Sequence, residues 1–196
     1  MNNINSIAIF CGSSTGKNTA YEAKAKALGS YLGNNNYHLI YGGGNIGLMG
    51  AIANAALEAG GEVTGVLPHF LNRKEVGHVD LSKLILVDSM HERKQKIEQL
   101  SDAFIAMPGG FGTLEEVSEM LTWAQLGLHQ KPIGLYNING FYNPLLSQLD
   151  VMVNEGFLKA QNRAMVLTGT EPEKLIQSLN DHKPVRVPKW LKPDQS

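Results

Sequence analysis

The chain has 196 residues, 43% apolar and 18% charged, with a formal net charge of −1. That size and balance suit a single core of ordinary globular composition, and near-neutrality gives no electrostatic case for nucleic acid or an anionic membrane as partner. No apolar run approaches the ~18 residues of a membrane span, the start MNNINSIAIFCGSS has no basic region or cleavage pattern, and Cys11, the single cysteine, excludes an internal disulfide and a cysteine metal cluster, so the cytoplasm is the expected address.

In chain order, short apolar runs alternate with amphipathic stretches. SIAIFCG reads as a strand with Cys11 as a small buried thiol at its end, and NTAYEAKAKALGSYLGNN as a helix that places Ala23, Ala27, Leu28 and Leu32 at helical spacing. YHLIYGGG is the second strand, GLMGAIANAALEAG a helix of small residues, and GEVTGVLP the third strand. A polar stretch from His69 to Ser82 precedes strand KLILV, helix HERKQKIEQLS and strand AFIAMPGG. Helix LEEVSEMLTWAQLG, strand KPIGLYN, helix FYNPLLSQLDVMVNEG, strand AMVLTG and helix EPEKLIQSLN complete the series. Short apolar strands alternating with helices predict an α/β fold: a doubly wound parallel sheet with helices on both faces. One domain is expected over 1–182, with an irregular tail over 183–196.

Two glycine loops carry the functional question. Gly42, Gly44 and Gly47 in GGGNIG satisfy the G-x-G-x-x-G spacing of a dinucleotide turn. That turn belongs after the first strand, with an acidic residue ~20 positions on for the ribose. Here the loop follows the second strand, and the next strand ends in Pro68 and His69 with no carboxylate. CGSSTGKN after the first strand is not a P-loop either, because Gly12 and Gly16 are separated by three residues and Asn18 follows the lysine. A dinucleotide oxidoreductase is thus disfavoured.

AFIAMPGGFGTLEE is more informative. A buried strand ends in Pro108-Gly109-Gly110, and a helix begins around Thr113. Glycines let the backbone approach a ligand closely, while the free N–H groups and dipole of a helix start favour an anion. Phosphate is the natural candidate, with the Thr113 hydroxyl as a further donor. Thr113 to Glu116 is also T-x-x-E, a capping box in which the glutamate only satisfies a backbone N–H. The same pattern occurs at Thr19–Glu22 and Ser89–Glu92, so spacing alone leaves Glu116 open between a cap and a catalytic carboxylate. In SMHERKQKI, Arg93 and Lys94 fall in the first turn of a helix, where the dipole disfavours cations by ~0.3–1 kcal/mol each. They form either a solvated basic face or a counter-charge for a phosphate ester on the same rim.

Other chemistries lack support. The six histidines show no metal-ligand pairing and read as surface or capping residues, no G-x-S-x-G elbow occurs, and no lysine is singled out for a pyridoxal Schiff base. Met120, Leu121, Trp123 and Ala124 read as helix packing, in the core or at a subunit contact.

At PGGFGTLEE together with SMHERK, the chain resembles the Lonely Guy family of cytokinin riboside 5'-monophosphate phosphoribohydrolases, marked by P-G-G-x-G-T-x-x-E and an upstream Arg-Lys pair. The likeness continues through TWAQLGLHQKPIGLYNINGFY, FCGSS and YGGGNIGLMG, and spans roughly residues 6 to 180. It implies a Rossmann-like fold and hydrolysis of the N-glycosidic bond of a purine nucleoside 5'-monophosphate, AMP or an N6-substituted AMP, without cofactor or metal. By the resemblance Arg93 and Glu116 are catalytic. Lys94, Gly109, Gly110, Phe111, Gly112, Thr113, Leu114 and Glu115 contact substrate, and Glu75 and Thr122 match ligand positions more loosely. A homodimer, with part of the base pocket near the subunit contact, is also implied. The alternative is a non-catalytic nucleotide or molybdenum-cofactor carrier on the same scaffold, which would keep the glycine loop without needing Arg93 and Glu116 together. A "lysine decarboxylase" label carried by relatives finds no chemical support in the residues.

Overall fold

A computed structural model describes residues 3–72, 77, 78 and 80–184. Its strands are β1 (Ser6–Phe10), β2 (His38–Tyr41), β3 (Val63–Pro68), β4 (Lys83–Val87), β5 (Ala103–Ala106), β6 (Ile133–Tyr136) and β7 (Val166–Gly169). They form one parallel sheet in the order β4-β3-β2-β1-β5-β6-β7. The helices are α1 (Ala20–Asn34), α2 (Gly47–Glu58), α3 (His69–Asn72), α4 (Met90–Leu100), α5 (Phe111–Leu126), α6 (Asn143–Asn154), α7 (Ala160–Arg163) and α8 (Pro172–Asp181). The short α3 lies in the stretch read only as polar. The Rossmann-like architecture matches the sequence expectation, and the expected tail lies outside the described residues from 185 onward.

Alternation along the strands sorts the core into two layers. Ile7, Ile9, Leu39, Tyr41 and Ile105 pack with α1, α2 and α8, while Ala8, Phe10, Ile40, Phe104 and Ala106 pack with α4, α5 and α6. Successive strand side chains point to opposite faces, so both faces of a covered sheet must be apolar. Edge strand β4 is the exception, with Leu84 and Leu86 exposed. Strand order reverses at β1, whose neighbours are β2 and β5, so the loops after β1 and β5 diverge there and leave a crevice at their carboxyl ends. Asp102 fixes the opposite end of this central pair. Its Oδ2 accepts from the Asn5 and Ser6 N–H groups and the Ser6 hydroxyl, each at 2.9 Å.

The α1–α2 contact corrects one expectation. Leu28 and Leu32 are buried as expected, but Ala23 and Ala27 are exposed, and Gly29 and Gly33 occupy the buried face instead. Hydropathy does not mark glycine as a packing residue. Here its missing side chain lets two backbones touch: a Cβ at Gly29 would meet the Ile52 carbonyl and Ala55 of α2.

Gly29→Val is therefore expected to destabilise the fold by ~1–3 kcal/mol through overpacking. Ala27→Val, on the exposed face of the same helix, should lie within about 0.5 kcal/mol of the parent. Denaturant unfolding of both variants checks this, and equal stabilities would mean that α1 and α2 are not in close contact at Gly29.

Candidate active site

Three loops meet at the carboxyl ends of the central strands. After β1, the Gly12 N–H donates to Pro108 O at 3.1 Å, while Gly12 O accepts from the Leu48 N–H at 3.0 Å. The turn after β1 thereby ties the glycine loop after β5 to the start of α2. Buried Cys11 sits beneath it; desolvation, then the charge of Glu116, pushes its thiol well above the ordinary range, consistent with an unreactive packing residue.

The helix starts on this rim differ in whether they are closed. At α4, Ser89 Oγ accepts from the Glu92 N–H at 3.1 Å, and Glu92 Oε2 accepts from the Asp88 N–H at 2.8 Å, so the S-x-x-E pattern is used for capping. At α1, Asn18 Oδ1 accepts from the Ala20 N–H at 2.9 Å. Thr19 makes no side-chain cap bond and Glu22 pairs with Lys26, so the box expected at Thr19–Glu22 does not form. At α5 the expectation also changes. The helix begins at Phe111 rather than Thr113, with extended Gly110 as its cap and no side-chain cap bond. Thr113 and Glu116 lie inside the helix, which removes the capping-box reading. The N–H groups of the first turn of α5 have no intrahelical partner and remain available to an anion.

Glu116 instead faces α4. It is 8% exposed, and its Oε1 lies 3.7 Å from the Arg93 Nη2. Arg93 is held from the strand side: Nε donates to Val66 O at 3.1 Å and Nη2 to Gly42 O at 3.4 Å. The first glycine loop has a specific task here, since a Cβ at Gly42 would fall onto the guanidinium. Burial pushes the Glu116 carboxyl above its ordinary range, partly opposed by Arg93, so it is suited to exchanging a proton.

The remaining sequence candidates divide. Gly109, Gly110, Phe111, Thr113 and Leu114 line a cavity of about 370 Å³ beside the glycine loop. Gly112 lies in the first turn of α5, and Phe111 is 93% exposed. Lys94 falls one residue beyond the first turn of α4, and its ammonium bonds to Glu115 at 2.5 Å and Glu119 at 3.0 Å. Thr122 is exposed on α5 and returns its hydroxyl to Ser118 O at 2.7 Å. Glu75 lies outside the described residues.

Phe141, Tyr142, Pro144 and Leu145, from the loop after β6 and the start of α6, complete the cavity without having been singled out. Tyr142 is anchored by donating to Met107 O at 2.6 Å. Phe141 and Tyr142 close the matching stretch that ends NINGFY, but only the fold brings them beside the glycine loop. Two histidines expected at the surface or as caps are buried. His78 bonds to Asn54 at 2.9 Å, and His129 donates to Met120 O at 3.0 Å. Each ring also accepts the N–H two residues on, which closes a turn inside the protein. Among the described residues no cluster of three or more His, Cys, Asp or Glu could hold a metal ion, and no helix is long and apolar enough to cross a membrane.

Comparison with known proteins gives a consistent picture. Residues 49–179 match the family model described as "Possible lysine decarboxylase". A cytokinin riboside 5'-monophosphate phosphoribohydrolase of Arabidopsis thaliana is 45% identical over 179 residues, covering 91% of this chain and 78% of that protein. One of Oryza sativa subsp. japonica is 43% identical over 178 residues, covering 91% and 74%. Among solved structures, the molybdenum cofactor binding protein of Rippkaea orientalis superimposes with a TM-score of 0.66 at 25% identity, covering 88% of this chain and 93% of that one. The molybdenum cofactor carrier protein of Chlamydomonas reinhardtii gives 0.66 at 20% identity with the same coverage.

The burial of Glu116 has a consequence for stability. A carboxyl whose pKa is raised by folding favours the folded state at low pH and loses that contribution as pH rises through the folded value. Glu116→Gln, neutral throughout, should melt about 2 °C or more above the parent at neutral pH. The two should converge below about pH 3, where the parent carboxyl is protonated in both states. Melting curves across that range test this. A variant no more stable than the parent at neutral pH would show that burial does not disfavour the Glu116 charge.

Proposed function

The chain belongs to the Lonely Guy family of cytokinin riboside 5'-monophosphate phosphoribohydrolases, and from that premise we propose the division of labour in its site. The reaction is hydrolysis of the N-glycosidic bond of adenosine 5'-monophosphates, including N6-substituted ones, to free base and ribose 5-phosphate. The observation that carries the reading is the buried Arg93–Glu116 pair on the same rim as the one uncapped helix start among α1, α4 and α5.

In this reading the 5'-phosphate sits on the Gly109–Thr113 turn, where backbone N–H groups and the α5 dipole meet its charge. As the C1'–N bond breaks, its electron pair leaves with the base and positive charge builds on the ribose. The Glu116 carboxylate stabilises that charge, then accepts a proton from the water that adds to C1', and the proton passes on to the departing base to give the neutral product. Arg93, fixed by Val66 O and Gly42 O, orients the carboxylate and helps hold the substrate. The apolar cavity at Phe111, Leu114, Phe141 and Leu145 borders the phosphate turn. The family likeness further supports a homodimer with part of the base pocket near the subunit contact, and a cytoplasmic setting; light scattering on the purified chain reads the assembly.

A carrier on this scaffold, as the structural neighbours are described, would bind a nucleotide without cleaving it. Chromatographic detection of free base from AMP, N6-prenyl-AMP, GMP and adenosine separates the two readings. Monophosphates should exceed the matching nucleosides by ~10²-fold in kcat/KM, equivalent to about two charged hydrogen bonds of ~1.5 kcal/mol each. Equal rates for AMP and adenosine would overturn the phosphate assignment. Glu116→Gln should lower kcat by at least ~10²-fold while AMP affinity holds or rises; full activity in that variant would favour the carrier. NAD should bind poorly, since β3 ends without a ribose carboxylate, and calorimetry showing micromolar affinity without AMP competition would contradict this.

A further inference from the structure

Arg93 and Lys94 are adjacent on α4, yet their charges go to different places. Arg93 meets Glu116, while Lys94 reaches two other carboxylates of the same helix, Glu115 and Glu119. The Lys94 side chain is only 9% exposed, and its ammonium lies 2.5 Å from Glu115 Oε1 and 3.0 Å from Glu119 Oε1. Glu115 and Glu119 are i,i+4 neighbours, a spacing at which like charges repel along a helix. Without Lys94, three carboxylates would crowd just over one turn of α5 against one guanidinium. A buried ammonium held by two carboxylates is also poorly placed to leave them for a phosphate, because breaking such a pair strands buried charge.

We propose that Lys94 is a positioning residue, partly offsetting the Glu115–Glu119 pair so that Glu116 works beside less uncompensated negative charge, and that it does not bind the substrate phosphate. This rests on the reading of Glu116 as the catalytic carboxylate. The groups facing Glu116 are Arg93 and Lys94 on α4, Glu115 and Glu119 on α5, and the neutral thiol of Cys11 at the end of β1. Burial is the largest influence and raises Glu116; Arg93 and Lys94 act downward, Glu115 and Glu119 upward. Burial also works against the Lys94 charge, but the bonds to Glu115 and Glu119 outweigh it, so the ammonium stays protonated. Removing Lys94 leaves two uncompensated negative neighbours and should drive Glu116 further toward its neutral form.

The experiment follows the Glu116 carboxyl by carbon-13 NMR in glutamate-labelled protein, its resonance identified by loss in Glu116→Gln, alongside kcat and KM for AMP as functions of pH. Lys94→Met is expected to raise the Glu116 midpoint by roughly one unit. The acidic limb of kcat should move with it, so the variant loses more activity at low pH than at high pH, while KM changes by less than about two-fold. The triple variant K94M/E115Q/E119Q should bring the midpoint back to the parent value or below it, since Arg93 is then the one charge left beside Glu116, and Lys94→Arg should hold the parent midpoint. Should Lys94→Met fail to fold by thermal melting, E115Q/E119Q with Lys94 intact must move the same midpoint downward. A midpoint that stays put while KM rises tenfold or more would make Lys94 a phosphate ligand and overturn the proposal. If the parent releases no base from any nucleotide, the hydrolase reading falls, and the NMR midpoint still decides whether Lys94 tunes Glu116.

Discussion

The Arg93 guanidinium is held by two main-chain carbonyls, Val66 O within β3 and Gly42 O just past the end of the neighbouring β2. Carbonyls so placed cannot move without disturbing the sheet, so the cation is placed by the fold rather than by its partner. Glu116 then comes to Arg93 from the other side of the β1 switch point, carried on α5. The arrangement needs both halves of the sheet. It also needs Gly42, because a larger residue would occupy the volume that the guanidinium fills.

A buried ion pair of this kind is weak evidence of stability, since desolvating two charges offsets much of their attraction. At 3.7 Å the contact is loose, and burial pushes the Glu116 carboxyl above its ordinary range despite Arg93. That is a poor design for a staple and a useful one for a carboxyl that must change protonation state. Lys131 and Glu98 make the contrast, closing to 2.6 Å.

How legible these features were in the sequence depended on the range of the interactions involved. Strands and helices were readable because alternation along β1, β2 and β5 reflects two covered faces, a local pattern with a direct physical cause. The glycine turn proposed to hold phosphate was readable because Pro108-Gly109-Gly110 joins a strand to a helix. Glu116 could not be separated from a cap by spacing, because its partner Arg93 comes from a different helix. His78 and His129 were misread for the same reason: the groups that satisfy them, Asn54 of α2 and the Met120 carbonyl of α5, come from other elements of the chain. Gly29 escaped because hydropathy measures what a side chain contributes and has no term for the room its absence leaves.

The Asp102 anchor bears on how the chain matures during synthesis. The bonds from Asp102 to Ser6 span 96 positions, and they lock the register of the central strand against β5. At ~5–20 residues per second, a ribosome needs roughly 5 to 20 seconds to make that intervening segment. Throughout that interval β1 has no partner on its β5 side, leaving the main-chain groups of Ser6, Ala8 and Phe10 that face β5 unpaired along an apolar edge. Such an edge is the kind of surface that chaperones shield and that aggregation exploits. The carboxylate that finally closes it also stands just before the strand that leads into the glycine turn, so the nascent chain completes this edge and begins its proposed binding site in the same stretch of residues.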